Sequence, residues 1–224
     1  MPGRPVSTGR PADSVPATTV ARLPLYRQCL GNLSDEGVDT VSSAELARRS
    51  GVTSAKLRKD LSFLGSFGTR GVGYDVTYLH RCISEWLGVM ERLDVVIVGI
   101  GNLGHALASY PGFDERGFRV VSLIDIDPSR VGEIVTCGDQ RVRIRPVSEL
   151  NEAAGLAQIG VIATPASAAQ SVCDRLVAAG IRSILTFAPV VLDAPVDVEV
   201  RRIDLGLELQ ILAFRERRAA QVSA

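Results

Sequence analysis

The amino-acid sequence predicts an α/β chain built as two units, a helical one followed by a parallel-sheet one. Three observations carry this. Over positions 20–85, apolar residues recur at helical spacing between short polar breaks. From Asp94 onward, β-branched runs alternate with alanine-rich helical stretches: DVVIV (94–98), FRVVSLID (118–125), IGVIA (159–163) and IRSILTF (181–187). Strands that alternate with helices imply a parallel sheet with crossover helices. A last apolar helix spans 205–218. The expected organisation is a lead-in over 1–19, a helical domain over 20–86, a sheet domain over 93–204 and the terminal helix 205–218.

The lead-in, MPGRPVSTGRPADSVPATT, is rich in Pro, Gly, Ser and Thr, lacks the apolar core of a signal peptide and is expected to be disordered. No apolar run reaches the ~18–20 residues that span a bilayer, so no membrane partner is expected and the location is expected to be cytoplasmic. Basic and acidic residues number 25 each, a formal net charge of zero, so only the distribution of charge can point to nucleic acid. Cys29, Cys82, Cys137 and Cys173 are scattered, and the two histidines, His80 and His105, lie apart. That spacing fits reduced thiols and argues against a metal site.

Within the helical domain, Ser42-Ser43-Ala44-Glu45 fits a capping box, with Ser42 capping the helix and Glu45 reaching back. That helix stops at Gly51, and after Gly51-Val52-Thr53 a second runs from Ser54 to about Leu64. Two helices joined by a tight glycine turn make a helix-turn-helix. On the second, Leu57, Leu61 and Leu64 share the core face, while Ala55, Arg58, Lys59 and Ser62 fall opposite, with Lys56 at the edge and Ser54 opening the helix. Cationic side chains there suit phosphates and guanine edges, and a small residue permits close approach. A solvated basic face is the bland alternative for any single helix. The glycine-dense GSFGTRGVGY (65–74) then places Thr69, Arg70 and Gly71 at a hairpin tip, as a wing entering a minor groove requires. The succession favours a winged helix-turn-helix that binds double-stranded DNA.

In the sheet domain, DVVIV runs directly into Gly99-Ile100-Gly101-Asn102-Leu103-Gly104 and then a helix. A glycine fingerprint between strand and helix is the Rossmann-type dinucleotide site: the first glycine for the turn, the second for approach to pyrophosphate, the third for helix–strand packing. Asp125 ends the second strand about 20 residues on, where a carboxylate meets the ribose 2′-hydroxyl and repels a 2′-phosphate; Asp127 is the fallback. NADH and NAD+ are therefore the expected cofactors. Thr164-Pro165 follows the third strand at the same sheet edge and should line the cleft. No Tyr-x-x-x-Lys pair and no Ser-His-Asp arrangement is evident, and the only lysines, Lys56 and Lys59, lie on the basic helix. A dehydrogenase needs an acid or base beside the nicotinamide, so the site reads as a sensor and the chain as no enzyme. The residues alone leave two alternatives: an NAD-dependent oxidoreductase with an accessory domain, or a regulator sensing another adenine nucleotide or a CoA derivative.

The terminal helix carries Leu205, Leu209 and Leu212 on one side and Leu207, Ile211 and Phe214 on the other. A helix apolar on two faces must be buried between two surfaces, which points to a second copy of the chain. The alternative is a central helix within one domain.

With both halves in view, the sequence resembles the Rex family of redox-sensing transcriptional repressors. The resemblance runs from about Val20 to Arg218 and is carried by RLPLY (22–26), SAKLRKDLSFLGSFGTRGVGYDV (54–76), VVIVGIGNLGHALASYPGF (95–113), FRVVSLIDIDP (118–128), IGVIATPASAAQSVCDRLVAAGI (159–181), FAPVVL (187–192) and IDLGLELQILAF (203–214). It implies a homodimer whose C-terminal helix swaps between subunits. It also implies binding to an inverted-repeat operator when NADH is low and release when NADH closes the paired Rossmann domains. Tyr110, which also contacts the cofactor, and Asp204 match the family's switch residues. Two positions depart from the pattern: the arginine expected at 28 stands at Arg27, with Gln28 in its place, and Thr186 replaces an asparagine before FAP. The resemblance implies that binding is intact and coupling altered.

Overall fold

The computed structural model describes residues 15–69 and 71–222, and the chain divides into two compact units between Glu91 and Arg92. The first unit runs α1 (Ala17–Val20), α2 (Leu23–Asp35), β1 (Thr40–Val41), α3 (Ser43–Arg49), α4 (Ser54–Leu64), β2 (Gly68–Thr69), β3 (Gly73–Asp75) and α5 (Val76–Trp86). Helices α3, α4 and α5 start where side chains satisfy free backbone donors. Ser42 Oγ accepts from Glu45 N (3.1 Å), Thr53 Oγ1 from Lys56 N (3.2 Å) and Asp75 Oδ1 from Tyr78 N (2.8 Å). Pro24 sits in the first turn of α2, where its missing N–H costs nothing. The capping box does not close: Glu45 turns instead to Arg48 (2.6 Å) and Arg49 (2.9 Å), because two guanidinium partners outcompete one backbone N–H. These two arginines lower the Glu45 pKa to about 2.

The order β1-β3-β2 makes a small antiparallel sheet, with Gly68 paired to Tyr74 and Thr69 to Gly73. Leu23, Tyr26, Leu30 and Leu33 of α2 pack with Leu46, with Leu57, Leu61 and Leu64 of α4, and with Leu79 and Ile83 of α5. The disordered lead-in expected over 1–19 extends too far. Ala17–Val20 is helical and Thr19 is buried, because its hydroxyl donates to Asp60 (2.9 Å). Residues 1–14 lie outside the described residues.

Asp60 is the charge inside this core. Arg22 Nε donates to Oδ2 (2.6 Å), Arg22 Nη2 to Oδ1 (2.7 Å) and Tyr26 Oη to Oδ2 (2.7 Å). Burial alone would raise the Asp60 pKa, but the bonds from Arg22, Tyr26 and Thr19 outweigh it and leave the carboxyl below its ordinary value. Burial, then the hydrogen bond to Asp60, pushes the Tyr26 phenol up.

The second unit runs β4 (Leu93–Val98), α6 (Asn102–Ala108), α7 (Gly112–Glu115), β5 (Phe118–Asp125), β6 (Ile134–Cys137), β7 (Gln140–Pro146), α8 (Leu150–Ala154), β8 (Ile159–Ile162), α9 (Ala166–Ala178), β9 (Ser183–Thr186), β10 (Glu199–Arg202) and α10 (Leu205–Val222). The strand order is β10-β9-β8-β4-β5-β7-β6, parallel throughout except that edge strand β6 runs antiparallel to β7. Reading outward from β4, the chain builds β5 and β7 on one side, then reverses to β8, β9 and β10 on the other. This is the doubly wound arrangement whose ligands lie at the reversal point. The period-two alternation divides the core. Val96, Val98, Ile162 and Ile184 face α8 and α9, whereas Val95, Ile97, Val161 and Leu123 face α6 and Phe113.

A stability measurement tests the Asp60 bonds. A carboxyl with a lowered folded pKa stabilises the fold above its unfolded pKa of ~3.9, and this is lost as pH falls through the folded value. In urea unfolding, Asp60→Asn is therefore less stable than the native chain by the same margin at pH 7 and pH 5, and the margin narrows below about pH 4.

Candidate functional site

Register brings three strand ends level. Val98 pairs with Ile124 on one side and Ile162 on the other, so Gly99, Asp125 and Ala163 emerge at one edge of the sheet. They open onto a cleft of about 580 Å³ that Gly101, Asn102, Leu103, Asp127, Arg130, Thr164 and Pro165 also line. The glycines have distinct physical tasks. Gly99 adopts φ +91°, and a side chain there would lie 2.9 Å from the Ala163 carbonyl. A Cβ on Gly104 would collide with the Gly99 carbonyl oxygen, so α6 rests directly on the loop. Around Gly101 nothing lies within 4 Å of where a Cβ would stand, which leaves the loop open toward the cleft. Gly104 and Ile100 are both buried and do not line it; Ile100 belongs to the sheet core.

Asp125 does more than face the cleft. Its Oδ2 accepts from Ile100 N (2.5 Å) and its Oδ1 from Asp127 N (2.9 Å), so the side chain shapes the glycine loop from the neighbouring strand. The more exposed acid is Asp127, whose Oδ1 accepts from Ser129 N (2.9 Å) and Ser129 Oγ (2.8 Å) and whose pKa those bonds lower. Thr164 Oγ1 is buried and has no hydrogen-bond partner. Such an atom is rare unless a ligand or water completes it. Ile126, Val147, Ala168 and Ser171 complete the walls. They carry no motif, and only their position in the fold reveals them.

In the first unit, Ala55, Lys56, Arg58, Lys59 and Ser62 are exposed on α4, and Ser54 is half-buried at its start. Ser62 Oγ donates to Lys59 O (2.7 Å). Beside Arg58, a hollow of about 400 Å³ is bounded by Ser42, Ser43, Thr69, Gly71 and Tyr74. The structure therefore joins the α4 face to the hairpin. It adds Ser42 and Ser43, whose capping role in the sequence disguised their place at this surface. Arg70, expected at the hairpin tip, lies outside the described residues.

Comparison with known proteins bears on both sites. The family model "Putative DNA-binding protein N-terminus" matches residues 14–62, and "CoA binding domain" matches 90–190. The redox-sensing transcriptional repressor Rex of Streptomyces avermitilis is 58% identical over 216 residues, covering 95% of this chain and 85% of that protein. This chain belongs to the Rex family. Rex 1 of Thermotoga maritima is 45% identical over 206 residues, covering 91% of this chain and 96% of the relative. The Rex-family repressor RSP, solved in complex with β-NAD+ and operator DNA, matches with a TM-score of 0.85 at 32% identity, over 93% of this chain and 95% of that one. RSP in complex with β-NADH gives 0.80 at 31%, over 94% and 98%.

Each residue that Rex resemblance links to the switch has a setting within its own unit. Tyr110 is not among the residues that line the cleft; its ring stands edge-on to Phe113 (5.5 Å), with the Arg116 guanidinium 5.9 Å from its centre. Asp204 caps α10, accepting from Leu207 N (3.1 Å). Arg27 Nε donates to Ser84 Oγ on α5 (2.9 Å), while Gln28 is exposed. Thr186 is buried, and its hydroxyl accepts from Ala188 N (3.2 Å) to shape the turn into FAP.

Two glycine substitutions separate packing from openness. Gly104→Ala should destabilise the second unit by about 1–3 kcal/mol, because α6 must lift off the loop. Gly101 has φ −67°, which alanine adopts freely, so Gly101→Ala should shift stability by no more than about 0.5 kcal/mol. Thermal unfolding of both variants checks the contrast.

Proposed function

We propose that this Rex chain is a cytoplasmic DNA-binding transcriptional repressor that senses the NADH/NAD+ ratio, holding an inverted-repeat operator when NADH is low and leaving it when NADH binds. The observation that carries the reading is the pairing, in one chain, of an exposed basic helix beside a hairpin with a dinucleotide-type cleft. A relative matched over nearly the full length was solved with both NAD+ and operator DNA.

The α4 residues Ser54, Ala55, Lys56, Arg58, Lys59 and Ser62 face the major groove in this reading, and Thr69, Arg70 and Gly71 the minor groove. Lys56 and Lys59 suit phosphates, and Arg58 a guanine edge. In the cleft, Gly101, Asn102 and Leu103 hold the pyrophosphate through backbone N–H groups, while Gly99, whose own N–H donates to the Ile124 carbonyl (2.8 Å), makes the turn that brings them there. Asp125 and Asp127 receive the ribose, Thr164 donates its unpartnered hydroxyl and Pro165 closes the wall. Among the described residues, the cleft lining contains no histidine, lysine, tyrosine or cysteine to move a proton beside a nicotinamide. The dinucleotide supplies its redox state as a signal and is not turned over.

A homodimer follows from α10. Leu205, Leu207, Leu209, Ile211, Leu212 and Phe214 are all exposed on it, more apolar surface than one chain leaves in water. The same unit carries an apolar groove of about 370 Å³ lined by Val95, Phe113, Phe118, Ile159, Val161 and Leu185, with Glu199 and Arg201 at its rim. Exchange of α10 between copies would cover both surfaces and bring the partner's Asp204 into the assembly. NADH releases DNA only so far as it binds the DNA-incompetent state of this dimer more tightly; equal affinity for both states shifts nothing.

A mobility-shift titration on the chain's own upstream DNA tests the function. The expected result is a shift without cofactor, reversed by NADH and left in place by NAD+; reversal by CoA or NADPH instead would redirect the assignment. Gly101→Ala should retain the shift and lose the NADH response. Truncation after Ile203 should convert the dimer to a monomer in sedimentation, and a truncated chain that stays dimeric rejects the exchange.

A further inference from the structure

RLPLY, among the segments that carry family resemblance, supplies neither a DNA contact nor a cofactor contact in the reading above. Its arginine and tyrosine have another partner. Thr19, Arg22 and Tyr26 stand at i, i+3 and i+7 and present their polar groups to a single carboxylate, that of Asp60 in the middle of α4. At about 100° per residue, Ala55, Arg58 and Ser62 point within about 40° of the direction opposite Asp60. The grip and the stripe of Ala55, Arg58 and Ser62 thus occupy opposite sides of one helix, while Lys56 and Lys59 lie about 40° and 100° from Asp60.

We infer that Thr19, Arg22, Tyr26 and Asp60 form a positioning lock that fixes the rotation and register of α4, and so determines how sharply this protein discriminates its operator from other DNA. The inference rests on the reading of α4 as the DNA reader. Leu57, Leu61 and Leu64 bury apolar area, which has little directional preference and tolerates a small roll of the helix. A planar carboxylate held by both prongs of a guanidinium does not, because two parallel hydrogen bonds fix direction as well as distance. Tyr26 and Thr19 take one further lone pair on each oxygen, leaving no slack for an alternative register. A slip of one residue would carry Asp60 by about 100° and strip a buried charge of its donors. Buried ion pairs add little net stability, and their best-attested use is to specify one arrangement among several. Phosphate contacts tolerate a rolled helix; base-edge contacts do not.

Three full-length variants test the lock. Asp60→Asn removes the charge, Arg22→Lys keeps the ion pair but loses the fork, and the double change Arg22→Met with Asp60→Leu replaces the pair by apolar groups that keep the core filled. Each is titrated at one salt concentration against the best duplex the native chain selects from a random pool and against a scrambled duplex. NADH affinity and the unfolding midpoint are measured alongside. The lock predicts that operator affinity falls about tenfold or more, as when a base contact is lost, while scrambled-DNA and NADH affinities stay within about twofold because Lys56, Arg58, Lys59 and the cleft are intact. Arg22→Lys should show the loss with its unfolding midpoint retained. An operator-to-scrambled ratio equal to that of the native chain in the folded variants overturns the lock, as does a parallel fall on both duplexes. If Asp60→Asn does not fold, the other two variants decide the matter. A native chain that selects no duplex at all overturns the DNA reading itself, before any variant is compared.

Discussion

Taking a carboxylate out of water is costly unless donors replace its hydration, and the functional element in each unit of this Rex protein is shaped around that requirement. Asp60 and Asp125, at 2% and 8% exposure, are the buried acids among the described residues. Asp60 is met by side chains, a two-pronged arginine together with a phenol and a hydroxyl, and these orient a helix as a rigid body. Asp125 is met by the backbone N–H groups of Ile100 and Asp127, and these mould a loop. The choice of donor follows from what has to be held still. A reading helix must keep its azimuth, whereas a phosphate loop must keep its curvature.

The clasp by Asp125 stands at the reversal of strand order, where the cleft lies. Only there do two strands that leave β4 in opposite directions free space above their carboxyl ends. The first β–α turn must fit that space without closing it. Gly104 lets α6 rest on the Gly99 carbonyl, and Gly101 keeps the outward side clear. Asp125 draws the Ile100 N–H inward.

Much of this was legible in the sequence because its signals are local. The turn at Gly51, the cap at Ser42 and the strand–glycine–helix succession from 94 to 104 depend on neighbours a few residues apart, and the structure has each. Interactions across long separations were not legible. Asp60 follows Lys59 and reads as another surface charge, yet its partners lie 34 to 41 residues earlier in the chain. Asp125 reads as a ribose ligand because that is where such an acid stands, and nothing local announces its bond to Ile100, 25 residues back. The hairpin β6–β7 and edge strand β10 went unanticipated because IVTC is only four residues long and the charges of RVRIR and VEVRR resemble loop composition. Even the capping box failed through competition, since the sequence does not say which of Glu45's three suitors wins.

The two buried acids bear on a puzzle of charge. A chain with zero formal net charge has no global attraction for DNA. Exposed charges more than about 8 Å apart are largely screened at physiological salt, so only the field close to α4 matters. That field would be weakened by an acid in the middle of the helix, beside Lys59 and two residues from Arg58. Burial against Arg22 neutralises it: the Asp60 charge is spent on a cation within the core and contributes little to the outward face. Lys56, Arg58 and Lys59 then face solvent with the one acid of their own helix already paired to Arg22. The ion pair that holds the helix in place therefore also leaves its surface basic, which is how an electrically balanced chain can present a local cationic edge.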